Sequence, residues 1–162
     1  MNFQENSIYK HLLGQLNLED IYIKQAFEHY HKCFVENDAI QEFVVNSCEI
    51  PIELKQNEYI GLCDRTLGLQ LPKGKTMEGG AIRGHYQHSG LFIAFGGELF
   101  RGCVVFPDFD ESGQIVSATG YRYGRVRDWQ QSVIHWQKPA LGELVTLGLN
   151  NVKEVAYGQT YH

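Results

Sequence analysis

The rhythm of apolar and polar positions changes along this chain. From Leu18 to Val35, "LEDIYIKQAFEHYHKCFV", the residues Ile21, Ala26, Tyr30, Cys33 and Phe34 recur at helical intervals. Acids lead the segment and Lys32 falls near its end, as a helix dipole favours, so the spacing predicts a helix over 18–35. Residues 6–16 predict a shorter helix before it, ending around Gly14 to Asn17. "NDAIQEFVVN" follows, with Asn37 or Asp38 as N-cap and Ile40, Phe43 and Val44 on one face. Pro51 suits the first turn of another short helix, "PIELKQN". "EYIGLC" reads as a strand. The glycines and proline between Asp64 and Gly80 predict mostly loop, and "GGAIRGHYQHSG" reads as a helix closed by Gly90.

Beyond this point the pattern turns β-rich. "GCVVFP" and "QIVSATGYRYG" flank "DFDESG", whose acids and glycine are turn residues, so a hairpin is expected. "SVIHW" reads as a further strand, while "ELVTLGL" and "VKEVAY" fit either form. Helices followed by a small, mainly antiparallel sheet define an α+β class. The chain has the length of one domain, without repeat or linker, so a single domain over 1–162 is expected. No stretch approaches the ~18 apolar residues of a membrane helix. The N-terminus lacks the basic start and apolar core of a secretory signal, which points to a cytoplasmic protein without a membrane partner.

Charge changes this picture more than composition does. Residues 1–64 carry four Lys/Arg against eleven Asp/Glu, whereas residues 65–138 carry nine against six. An acidic N-terminal portion thus precedes a basic middle, although the whole chain has a net charge of −5. One reading is local fluctuation; the other is a basic face that meets a polyanion.

Candidate chemistry is sparse. Cys33, Cys48, Cys63 and Cys103 show no C-x-x-C or C-x-x-H spacing, so reduced and largely buried thiols are expected, with no metal site. Asp108, Asp110 and Glu111 could converge on a metal, yet all three sit in one short connection between β runs, where an exposed turn needs such residues. His29 and His31 are two apart on a helix and point in different directions. His85 and His88 can share a face, and with Asp108 or Asp110 they are the acid/base groups an enzyme reading would use. "GKT" at 74–76 lacks the first glycine of a phosphate loop, and no strand directly precedes it. No nucleophile motif is present, so neither catalytic residues nor a cofactor is expected.

The arginines carry a clearer signal. Arg122, Arg125 and Arg127 are interleaved with Tyr121, Tyr123 and Trp129 in "GYRYGRVRDWQ". Strand alternation would put Tyr121, Tyr123 and Arg125 on one face and Arg122 on the other. Cationic groups gain from phosphates through attraction and counterion release, and aromatic rings can stack on unpaired bases. The same spacing suits a sheet with core aromatics and solvated arginines, and spacing alone does not choose between them.

The order of residues in "EYIGLCDRTLGLQLP … EGGAIRGHYQHSGLF … GGELFRGCVVFPDFDESGQIVSATGYR" resembles the N-terminal subdomain of the bacterial DNA primase catalytic core. It looks closest to versions carried by plasmids and other mobile elements. The matching residues are Gly61, Phe100, Arg101, Phe106, Pro107, Asp110, Gly113, Ile115, Val116, Gly120 and Arg122, within a similarity spanning about residues 20–138. The resemblance implies a mixed fold that helps form a basic groove for template DNA and the RNA–DNA hybrid. Arg122 would face that groove, Arg101 matches the start of the strand, and Lys138 is the loose counterpart of a lysine beyond it. A complete primase also carries a Cys/His zinc module and a metal-binding Toprim unit, and neither matches here. The expectation is therefore a non-catalytic module that binds single-stranded DNA or a primer–template hybrid in mobile-element replication. The expected contacts are Arg101, Arg122, Arg125, Arg127, Lys138, Tyr121, Tyr123 and Trp129. The alternative is a protein-interaction module that assists or inhibits a replication protein through its acidic portion.

Overall fold

A computed structural model describes residues 3–93 and 97–139, with side chains from residue 18 onward. "ELVTLGL" and "VKEVAY" lie outside the described residues. Helix α1 runs without a break from Phe3 to Val35, so the two expected N-terminal helices are one. An internal glycine such as Gly14 costs about 1 kcal/mol relative to alanine, which weakens a helix without ending it. Asn37 then caps α2 (Asp38–Asn46), its side chain accepting from the Ile40 amide, and Pro51 precedes the short α3 (Ile52–Lys55). β1 is Gly61–Cys63.

The stretch expected to be loop contains one more helix, α4 (Thr66–Gln70). Its apolar Leu67 is buried in the core, a tertiary gain that overrides the glycine-rich local signal. Helix α5 (Met77–Ser89) is capped by Thr76 and closed by Gly90 at φ 88°. β2 (Cys103–Phe109), β3 (Ile115–Arg122) and β4 (Val133–Gln137) complete an antiparallel sheet in the order β1-β2-β3-β4.

Because alternate residues of a strand face opposite ways, the sheet divides the core in two. Cys63, Cys103, Val105, Ala118 and Trp136 face α1 and α5, where Ile23, Ala26, Phe27, Tyr30 and Tyr86 pack against them. Leu62, Val104 and Phe106 face the other way, and Val104 and Phe106 meet Val44 and Leu54 of α2 and α3. Among the described residues, no helix is long and apolar enough to cross a membrane.

The first core encloses an ionisable group. Glu98 is buried, accepting from the Tyr30 hydroxyl at 3.4 Å, the Cys63 thiol at 3.5 Å and the Gly68 amide at 3.4 Å. Burial raises the carboxyl pKa above its ordinary value, although these three donors and His29 pull it down. The folded chain therefore holds this proton at a pH where the unfolded chain has released it. That contribution is complete below the ordinary glutamate value of 4.5 and is lost as pH rises through the raised value. Glu98→Gln cannot ionise, so wild type should lose melting temperature relative to the variant between pH 4.5 and neutrality. Parallel melting curves for the two proteins across that range would refute the assignment.

Candidate nucleic-acid interface

The stretch that joins β2 to β3 is a hairpin; Asp108 and Asp110 are engaged within it, and Glu111 is exposed. Asp110 accepts at one carboxylate oxygen from the Ser112 amide, the Ser112 hydroxyl and the Gln114 amide, at 2.7–2.9 Å. These hydrogen bonds, the hydroxyl's first, hold its carboxyl below the usual range, and Gly113 supplies the positive φ of 84°. Asp108 accepts from Ser117 across the two strands at 3.1 Å. His85 and His88 both point at the buried Glu19 of α1, at 3.0 and 3.6 Å, and so bind α5 to α1.

The arginines collect at the opposite end of the sheet from this turn. Cys63, Cys103 and Arg122 are paired across β1, β2 and β3. Arg65 follows β1, Arg101 precedes β2 and Arg122 ends β3, so all three lie along one rim. Backbone hydrogen bonds lace this rim together: the Gly102 amide donates to Cys63 O at 2.9 Å and the Tyr123 amide to Gly102 O at 3.2 Å. Four strands at about 4.8 Å spacing make the rim about 14 Å wide. Arg125 and Arg127 extend it into the exposed β3–β4 connection. Five arginines and the two aspartates Asp64 and Asp128 line it, which makes it basic on a chain that is acidic as a whole.

Each side chain is held differently. Arg122 donates from Nε to Gln131 O at 2.7 Å and from Nη1 to Arg101 O at 3.2 Å, leaving its other N–H groups available. Arg101 donates to Glu98 O at 3.3 Å. Both charges act on Cys103: burial pushes its thiol up to about 11, while Arg122 and Arg101 pull it down. A tight turn between Arg127 and Gln130 projects Trp129, which is 71% exposed, with the Arg127 guanidinium 5.9 Å from its ring centroid.

Not every expected residue joins this group. Tyr121 packs edge-on against Phe106 at 5.8 Å, and Tyr123 is half-buried against the same second core. Arg125 lies beyond the end of β3 and does not share a strand face with the tyrosines. Lys138 is at the other end of the sheet, its amide donating to Val116 O, six residues back along β3 from Arg122 and thus about 20 Å away. Its ammonium is paired with Asp20 of α1. Strand β4 runs antiparallel to β3, so a basic residue after it is carried away from the arginines. Arg65 was missed; its position just after a strand ending level with Arg101 becomes visible only once β1 is paired with β2.

Sequence reasoning also missed a cluster beside this rim. His29 points away from His31, and its partner one helical turn on is Cys33, with Sγ 3.5 Å from Nε2. The i, i+4 spacing was the available signal. Burial pushes the Cys33 thiol up, which favours its protonated form.

No protein-family model matches the sequence, and no curated protein matches it either. Solved structures do match in fold. The DnaG primase catalytic domain bound to single-stranded DNA superposes with a TM-score of 0.57 at 16% identity, over 80% of this chain and 42% of that one. The Aquifex aeolicus primase structure of zinc-binding and RNA polymerase domains gives 0.56 at 17% identity, over 76% and 30%. A structure of the DnaG catalytic core gives 0.55 at 14% identity, over 76% and 39%. The chain is an α+β protein with a primase-core-like fold. It spans less than half the length of each of these three chains.

Proposed function

We propose that this chain is a nucleic-acid-binding module of the primase-core type, which holds single-stranded DNA or a primer–template hybrid along its arginine rim. The convergence of Arg65, Arg101, Arg122, Arg125 and Arg127 on one end of the sheet, with Trp129 exposed beside them, carries this reading. Phosphates would lie against the guanidinium groups, and an unpaired base would stack on Trp129. The fold it shares with a primase domain solved on single-stranded DNA supports the choice of ligand. The module acts without polymerising chemistry of its own, and replication of a mobile element is the setting in which the resemblance is closest. Lys138 and Tyr121 contribute through the fold, by pairing with Asp20 and packing on Phe106.

Fluorescence anisotropy with labelled single-stranded DNA at about 50 and 200 mM salt tests the reading. Affinity should fall with salt, with a log–log slope near −0.7 for each phosphate contacted. Arg122→Ala should weaken binding and flatten that slope by about one contact. Undetectable binding at low salt, or binding unchanged by this substitution, would sink the proposal.

The net charge of −5, with its acids concentrated before residue 65, favours a second reading: an accessory or inhibitor of a replication protein. Retention of such a partner after nuclease treatment, together with no binding to DNA, would select it.

A further inference from the structure

Beside the arginine rim, α1 and the turn after β1 bring together three side chains that strand binding does not use. His29 and Cys33 lie one helical turn apart on α1, and Asp64 is the residue after β1. Donor atoms of the three all lie within 4.8 Å of one another. The 3.5 Å between Cys33 Sγ and His29 Nε2 has a specific meaning. Two ligands of a tetrahedral zinc ion, at ordinary Zn–S and Zn–N lengths, stand about 3.6 Å apart. The helix thus already sets this pair at chelating separation.

The third ligand is brought in by an unusual turn. Arg65 has φ 71°, a left-handed conformation that non-glycine residues rarely adopt. It folds the chain back so that Asp64 and Thr66 stand side by side against α1. The Thr66 hydroxyl donates to Asp64 Oδ1 at 2.5 Å and lies 2.7 Å from His29 Nε2 and 3.6 Å from Cys33 Sγ. One oxygen in reach of all three ligands marks the volume on which they converge. Rotation of the hydroxyl would clear that volume or offer a neutral fourth ligand.

We propose that His29, Cys33 and Asp64 form a zinc site, with Thr66 or water as the fourth ligand. An imidazole, a thiolate and a carboxylate together suit Zn²⁺ and not Mg²⁺ or Ca²⁺, which take oxygen donors. The ion pins α1 to the β1–α4 turn. It also neutralises Asp64, one of the two acids on the otherwise basic rim.

Titration of the full chain with Zn²⁺ against a chromophoric chelator should show one ion bound per chain. Co²⁺ in its place should give a thiolate charge-transfer band. Cys33→Ser, His29→Gln and Asp64→Asn should each weaken binding by tenfold or more, and Cys33→Ser should abolish the band. Cys48, an exposed thiol elsewhere, serves as the control, and Cys48→Ser should change neither reading. Circular dichroism of the metal-free variants checks that each remains folded, and Asp64→Asn alters no core residue if the helix variants do not. Failure of wild type to bind, loss of binding in Cys48→Ser, or full binding by Asp64→Asn would each overturn the site.

Discussion

Gly61→Ala should destabilise the protein by about 3 kcal/mol, lowering the melting temperature by about 10 °C. A methyl group built on Gly61 would stand 2.6 Å from Tyr30 Cβ and 3.2 Å from the Tyr30 carbonyl carbon. Carbon atoms pack at about 3.5–4.0 Å, so α1 would have to move by about 1 Å. The helix cannot move freely, because on one side Tyr30 and Phe27 are buried in the first core. On the other, the His31 ring stands 2.9 Å from Ile60 O. Glycine at this position sets how closely the helix crosses the strand. Gly84→Ala is the internal control: it is an exposed position of α5 with nothing within 4 Å of the added methyl. There, alanine should stabilise by about 0.5–1 kcal/mol. Denaturant melts of both variants, with unchanged m-values, would measure the contrast. A Gly61→Ala protein as stable as wild type would show that α1 does not cross β1 so closely.

Gly61 also shows why part of the fold was legible in the sequence. It belongs to the residue order that resembles primases, as do Phe100 and Gly120, and the structure gives each a packing reason. A methyl at Gly120 would stand 2.6 Å from the Phe100 ring, so that glycine makes room for a buried aromatic. The β2–β3 hairpin was equally readable, because Asp110, Ser112 and Gly113 make their turn with near neighbours. What could not be read depends on distant pairing. The start of β2 is level with the end of β3, which brings Arg101 to Arg122, whereas the antiparallel run of β4 sends Lys138 to the far end. Asp64 meets His29 and Cys33 only because β1 lies against α1, more than thirty residues later in the chain. Glu98 was likewise invisible as a core group, since its partners Tyr30, Cys63 and Gly68 come from three separate elements.

If the rim holds a single strand, Trp129→Ala should cost more affinity than the loss of any one arginine. Stacking of a base on an aromatic ring is worth about 1–3 kcal/mol, so binding should weaken by about 10- to 100-fold. A single phosphate contact is screened by salt and carries less. Trp129 is free to be tested in this way, because its ring is 71% exposed and its removal takes nothing from either core cluster. The Arg127 guanidinium over the ring adds to the effect, since Arg127→Ala removes both a phosphate partner and the cation beside the indole. The two losses differ in their salt dependence. Trp129→Ala should lower affinity by a similar factor at about 50 and 200 mM salt, whereas Arg127→Ala should lower it chiefly at low salt. Quenching of Trp129 emission on addition of unlabelled DNA provides a second readout. The other tryptophan, Trp136, is buried with its indole N–H donating to Ser89 O at 2.8 Å, so it should not respond. Quenching that persists in Trp129→Ala, or affinity left intact by that substitution, would place the strand elsewhere on the molecule.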